Sequence, residues 1–384
     1  MAAVASLAAP LESADMPRRI ACPLLAAALA AACVTSSSPP PSSEPRQVTA
    51  LRATDTVPND PDDPALWRHP SDPAKSLILA TDKIEEAGGL YVFGLDGRLR
   101  QAITPIDRPN NVDVEYGLPM AGRTMDIAVL TERKRHRLRV FGIPVDGGDL
   151  VDLSPEGVPV LAGETGERAE PMGIALYKRP ADGAVFAIVA PKTGDTTGYL
   201  WQYRLEDDGT GRVRGTFVRR FGAFSRAGAE PGEIGEIEAV AVDDALGFVY
   251  YADERYGIRK YQADPDAPDA AQELAAFARE GYLGDREGLA IFETGPGIGY
   301  IVSSDQIAGG TRVHLFPREG GPGGPHDHPD LGAVLTESDE TDGLDVTGPL
   351  PGFPHGLLVM MNSGPKNFLL YDWQEITSDL RIED

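Results

Sequence analysis

Thiols are almost missing from this chain. Its two cysteines, Cys22 and Cys33, both lie in the N-terminal segment of a 384-residue sequence. That excludes a disulfide framework, thiolate catalysis and cysteine-bound zinc from everything downstream. Positive charge is also scarce: 35 Lys and Arg face 59 Asp and Glu, for a net charge of −24. Such a surface argues against nucleic acid or anionic lipid as a partner. Long apolar runs are lacking; Ile20–Ala32 is too short to span a bilayer comfortably. No P-loop, GxSxG or HExxH motif occurs, and Arg135-His136-Arg137-Leu138 lacks the glycine of RHGxRxP. These gaps set aside several nucleotide, hydrolase, metalloprotease and acid-phosphatase chemistries.

The N-terminus reads as a targeting signal. Met16-Pro17-Arg18-Arg19 is a better start than Met1, followed by the apolar stretch and by small residues before Cys33. Residues 1–33 are therefore assigned as a signal segment. Leu29-Ala30-Ala31-Ala32-Cys33 resembles a lipobox, which makes Cys33 a candidate lipidation site and plain cleavage nearby the alternative. Residues 34–46, rich in Ser and Pro, form a linker with no means of packing. The expected destination is outside the cytoplasm: periplasmic, extracellular or an outer-membrane lipoprotein, with membrane contact only through that anchor.

What the chain does have is a repeat. An apolar residue, two more positions and then Phe or Tyr recur as LYVF, LRVF, LWQY, IRKY, VHLF and FLLY, ending at Phe93, Phe141, Tyr203, Tyr261, Phe316 and Tyr371. Spacings of 48 to 62 residues match propeller blades of several short strands. The 43 Gly and 33 Pro suit the many turns this needs. The expected fold is all-β: a six-bladed β-propeller of four-stranded antiparallel blades over residues 47–384. A strand near Gln47–Ala53 is expected to pair into the last blade and hide its edge.

A second signal precedes each phrase. Short apolar strands open at Asp63, Asn111, Met172, Glu238, Glu287 and Asp342, most with an acid or amide. If equivalent strands start at one end of the array, their first side chains converge on one channel mouth. Each acid alone could cap a turn. Gathered in a ring, with Asp113 nearby, they repel unless protonated or neutralised. An all-oxygen donor set points to a hard cation, Ca²⁺ before Mg²⁺ or Mn²⁺. Asp62, Asp253, Glu254 and Asp285 cluster near the same strand ends. Lys83, Arg133 and Lys192 each follow a second apolar strand in three successive blades. Loop lysines and arginines are usually just solvated; matched placement points to a shared task.

These residues resemble the β-propeller phytase family, the calcium-dependent alkaline phytases of bacteria. The matching stretches are DDPALW (Asp62–Trp67), TDK (Thr81–Lys83), GGLYVFGLDG (Gly88–Gly97), NNVDVEY (Asn110–Tyr116), ER (Glu132-Arg133) and PKTG (Pro191–Gly194). IEAVAVDD (Ile237–Asp244), ADE (Ala252–Glu254), DREGL (Asp285–Leu289) and TDGLDV (Thr341–Val346) follow in order. The resemblance implies a calcium-dependent 3-phytase that removes phosphate from phytate, inositol hexakisphosphate, or its calcium salt. It implies that Lys83, Arg133 and Lys192 grip phosphate and that these three and Glu238 carry the catalysis. It further implies that Glu238, Glu254, Asp285 and Glu287 hold several calcium ions, with Asp62, Asp63 and Asp342 in further calcium positions. A family Gln ligand falls at Gln306, or its role passes to Asp305.

The chain departs from that family at four places. Met172-Gly173 replaces a Tyr-Gly, Thr193 replaces a Glu, Ser303-Ser304-Asp305-Gln306 replaces Ser-Ser-Gln-Gly, and Thr336 stands at or near an acidic position. Two rival readings are another calcium-dependent six-bladed hydrolase, a lactonase or phosphotriesterase, and a non-catalytic surface-binding propeller. Neither needs three basic residues at the mouth. A monomer is expected.

Overall fold

A computed structural model describes residues 47–120, 122–378 and 380; the signal and linker assignments lie outside them. Six sheets follow one another along the chain. Blade 1 is built from Pro61–Trp67, Leu77–Asp82, Gly88–Gly94 and Leu99–Ile106. Blade 2 uses Pro109–Met120, Arg123–Glu132, Arg137–Ile143 and a split outer edge of Val151–Asp152 and Val158–Pro159. Blade 3 is Pro171–Lys178, Val185–Pro191, Thr197–Asp207 and Val213–Ala223; blade 4 is Val240–Asp243, Phe248–Asp253, Gly257–Gln262 and Ala275–Phe277. Blade 5 is Leu289–Gly295, Ile298–Ile307, Gly310–Pro317 and Ala333–Thr336. Blade 6 has Leu344–Thr347, Leu357–Asn362 and Asn367–Asp372 from the C-terminal end of the chain, and takes Arg52–Ala53 as its fourth strand. This is the six-bladed propeller that the repeat predicts. The N-terminal strand closes the last blade as expected and also reaches further: Gln47–Val48 adds a parallel fifth strand to blade 5.

The core is divided into six clusters, each shared by two neighbouring blades. The period-2 geometry of a strand explains why. In the second strand of blade 2, Ile127 and Val129 pack towards blade 3, while Ala128 and Leu130 pack towards blade 1. Both faces are buried, so the strand reads as a continuous apolar run. Each fully buried Leu, Ile or Val contributes roughly 1.5–3 kcal/mol, and every blade contributes such residues to two interfaces.

The aromatic phrase now has a location and a reason. All six copies lie in the third strand of a blade. Phe141 and Tyr203 join the clusters with blades 1 and 2, Tyr261 and Phe316 those with blades 3 and 4, and Tyr371 and Phe93 those with blades 5 and 6. Each therefore fills the interface with the preceding blade. A blade is wedge-shaped in plan, so its third strand stands where the gap widens and the larger side chain fits.

Candidate active site

One backbone hydrogen bond recurs in every blade and fixes the register of the channel mouth. The residue at the end of the second strand, or just past it, donates its N–H to a carbonyl just upstream of the inner strand. The pairs are Lys83 to Asp60 (2.8 Å), Arg133 to Arg108 (3.1 Å), Lys192 to Glu170 (2.8 Å) and Glu254 to Glu236 (3.4 Å). Gln306 to Asp285 (2.9 Å) and Ser363 to Asp339 (3.0 Å) complete the set. The equivalent inner positions are then Asp62, Asn110, Met172, Glu238, Glu287 and, one residue later in its loop, Asp342. In blades 1 to 3 this position follows Pro61, Pro109 or Pro171, inside a register shift of the strand pair. Bulges of this kind re-aim side chains, which is why the sequence pattern placed Asp63 and Asn111, rather than Asp62 and Asn110, in the ring.

The six second-strand positions divide the mouth. Blades 1 to 3 supply Lys83, Arg133 and Lys192; blades 4 to 6 supply Glu254, Gln306 and Ser363. Lys83 Nζ lies 2.9 Å from Asp62 Oδ1 and pairs with Asp342. Gln306 Nε2 donates to the other oxygen of Asp342 at 2.9 Å. Arg133 donates from Nη1 to Asn110 Oδ1 at 3.1 Å and from Nη2 to Glu170 Oε2 at 3.0 Å. Lys192 pairs with Glu236. Glu254 Oε2 accepts from the Glu236 N–H at 3.0 Å, and Arg255 Nη2 donates to Asp285 Oδ2 at 2.8 Å. Glu238 Oε1 accepts from Asn110 Nδ2 at 2.6 Å.

The remaining acids feel one another. Burial raises the Glu287 carboxyl well above its ordinary value, and Glu254, Glu238, Asp342 and Asp285 raise it further. Burial likewise raises Glu238, with Asp62 adding to it and Lys83 opposing. Asp62 and Glu254 are raised too, again by burial first. Burial alone would lower the Lys83 ammonium, but Asp62, Asp342 and Glu238 outweigh it and keep the proton on Nζ. Among the described residues, no three carboxylates or imidazoles converge closely enough to chelate an ion as they stand. Asp62 and Asp342 lean on Lys83, Glu170 on Arg133, Glu236 on Lys192 and Asp285 on Arg255 instead.

Asp63 and Asp113 also tie neighbouring blades together. Asp63 Oδ2 accepts from the Val112 N–H at 3.0 Å, tying blade 1 to blade 2. Asp113 Oδ2 accepts from Leu176 N at 2.6 Å, and Asp345 Oδ2 from Leu66 N at 2.7 Å. All three line a cavity of about 150 Å³ with residues of all six inner strands, including Glu287 and Asn111.

The departures also find places. Met172 is 2% exposed and presents no polar side-chain group; Glu170, two residues earlier, is the acid of blade 3. Gln306 faces the mouth, whereas Asp305 is buried and binds Leu283 N, Gly284 N and Arg312. Thr336 sits buried on the outer strand of blade 5, its hydroxyl donating to Thr311 O at 3.0 Å. Glu170, Glu236 and Asn110 were missed by sequence reasoning. Glu236 alone carried a usable signal: it lies two residues before Glu238 and so shares its face in extended chain.

A protein-family model described as Phytase matches residues 19–381. The 3-phytase of Bacillus subtilis (strain 168) is 29% identical over 350 residues, covering 87% of this chain and 85% of that protein. Among solved structures, Chaetomium thermophilum Sqt1 bound to the N-terminus of the ribosomal protein L10 gives a TM-score of 0.44 at 16% identity, over 87% of this chain and 76% of that one. The Pseudomonas aeruginosa periplasmic gluconolactonase PpgL gives 0.43 at 15% identity, over 72% and 70%.

Proposed function

The chain belongs to the phytase family, and from that premise we propose that it is a 3-phytase, hydrolysing phosphomonoesters of phytate at the divided mouth with calcium as cofactor. The observation that carries the reading is the division itself. Three cations on one side face a set of mutually repelling acids on the other. A phosphate ester needs the first; an added cation relieves the repulsion in the second while leaving its carboxylates ionised.

The acid side fits calcium chemically. Its donors are all oxygen. Buried Asp62 Oδ2 has no hydrogen-bond partner in the protein, while Asp62 Oδ1 and Asp285 Oδ1 are met by the Lys83 and Arg255 cations. Asp62, Asp63, Glu238, Glu254, Asp285, Glu287, Gln306 and Asp342 are the residues we propose to hold the ions. Bound calcium supplies positive charge between carboxylates and phosphate and lowers the pKa of water beside it. The chain's own part follows. Lys83 Nζ stays protonated into alkaline solution and neutralises charge on the transferring phosphoryl group, with Arg133 and Lys192. The Arg133 fork is already oriented by Asn110 and Glu170. Glu238 stands buried among these groups and orients what binds between them.

Kinetics of two variants test this. Lys83→Ala is expected to lower kcat/KM for phytate by about 10²–10³. Glu238→Gln is expected to lose activity and to weaken calcium binding in the same protein. Wild-type rates in both would remove the site assignment. We also propose export of the protein as a monomer, with residues 1–33 removed or Cys33 lipidated, on the signal pattern alone. Mass spectrometry of the mature N-terminus checks it; a mature chain beginning before Met16 contradicts it.

A further inference from the structure

Asn110 occupies the ring position at which blades 1, 4, 5 and 6 present carboxylates, yet it is a neutral amide. Its side chain is 1% exposed. Nδ2 donates to Glu238 Oε1 at 2.6 Å and to Asn111 Oδ1 at 3.1 Å, while Oδ1 accepts from Arg133 Nη1 at 3.1 Å. Both outer partners dictate the same amide orientation. Turned over, the NH₂ would meet a guanidinium and the carbonyl a carboxylate.

We propose that Asn110 is a positioning residue of the phosphate site, locking the Arg133 guanidinium and the Glu238 carboxylate into one geometry across the mouth. Only a group with both donor and acceptor can do this. An aspartate would accept from Arg133 but would set a carboxylate against Glu238; an alanine would release both. Arg133 is then held at Nη1 by Asn110 and at Nη2 by Glu170, and its buried Nε has no hydrogen-bond partner in the protein. A planar fork fixed at two corners loses little freedom when phosphate arrives. The same bond takes one oxygen of Glu238, so its other oxygen faces a defined direction. The proposal rests on the phosphate-ester reading of the mouth.

The test uses the full chain in calcium buffer. Asn110→Asp and Asn110→Ala are compared with wild type for kcat and KM on phytate, for inorganic phosphate affinity by calorimetry, and for melting temperature. The expected result is a fall of about 100-fold in kcat/KM and of about tenfold in phosphate affinity, with calcium stoichiometry held. A merely structural role would move the melting temperature and leave phosphate affinity alone. A folded variant that keeps phosphate affinity within about twofold overturns the proposal. Asn110→Ser, too short to span both partners, gives the same reading if the other two do not fold; failure of all three to fold would make Asn110 a fold residue and overturn it as well. A wild type releasing no phosphate from phytate would instead remove the reading of the site.

Discussion

Glu115, in the inner strand of blade 2, is 5% exposed and lies against Asp244 of blade 4. Burial first, and the Asp244 carboxylate second, raise the Glu115 carboxyl; burial also raises Asp244. The folded protein therefore holds a proton that the unfolded chain releases. Stability from it is fully present below the unfolded value and is lost as pH rises through the folded one. Glu115→Gln removes that loss. Its melting temperature is expected to exceed wild type by roughly 2–4 °C near pH 8.5 and to converge with it near pH 5. Parallel profiles would contradict the shared proton. Residues of this kind were hard to read from sequence. Glu238 and Glu287 were legible as site acids because strand starts recur. Asn110 and Glu170 were not, because a bulge shifts the inner strand and only the backbone bond to the second strand reveals which residue is equivalent.

Elements were more legible than single residues. The aromatic phrase marked every third strand because each copy fills the same interface, and the apolar runs marked strands buried on both faces. The parallel addition of Gln47–Val48 to blade 5 had no signal, since two residues carry no periodicity. The inner strands come very close near the mouth. A Cβ on Gly173 would lie 2.0 Å from the Glu238 carbonyl oxygen, which is backbone and cannot swing away. Gly173→Ala is expected to destabilise by about 2 kcal/mol, read as a lower urea midpoint at unchanged slope, and to lower activity with it. An unchanged midpoint would contradict the close approach. Deleting the chain through Ala53 leaves blade 6 with three strands and exposes an edge. A melting temperature lower by about 10 °C is the expected cost; an unchanged one would mean that closure does not depend on this strand.

The whole molecule joins a cooperative ring of six interfaces to a strongly acidic charge. At −24, it would repel a polyphosphate unless cations reverse the local field at the mouth. The calcium ions proposed above, binding the folded state and not the unfolded one, would also stabilise it: at 100 times the dissociation constant the gain is about 2.7 kcal/mol per site. Chelation is therefore expected to lower the melting temperature by several degrees. The most direct test of the account is phosphate release from phytate by the wild-type protein, followed before and after chelation and after calcium is restored. The account predicts that release stops on chelation and returns with calcium. Undiminished release by metal-stripped protein, or none in saturating calcium, would contradict it.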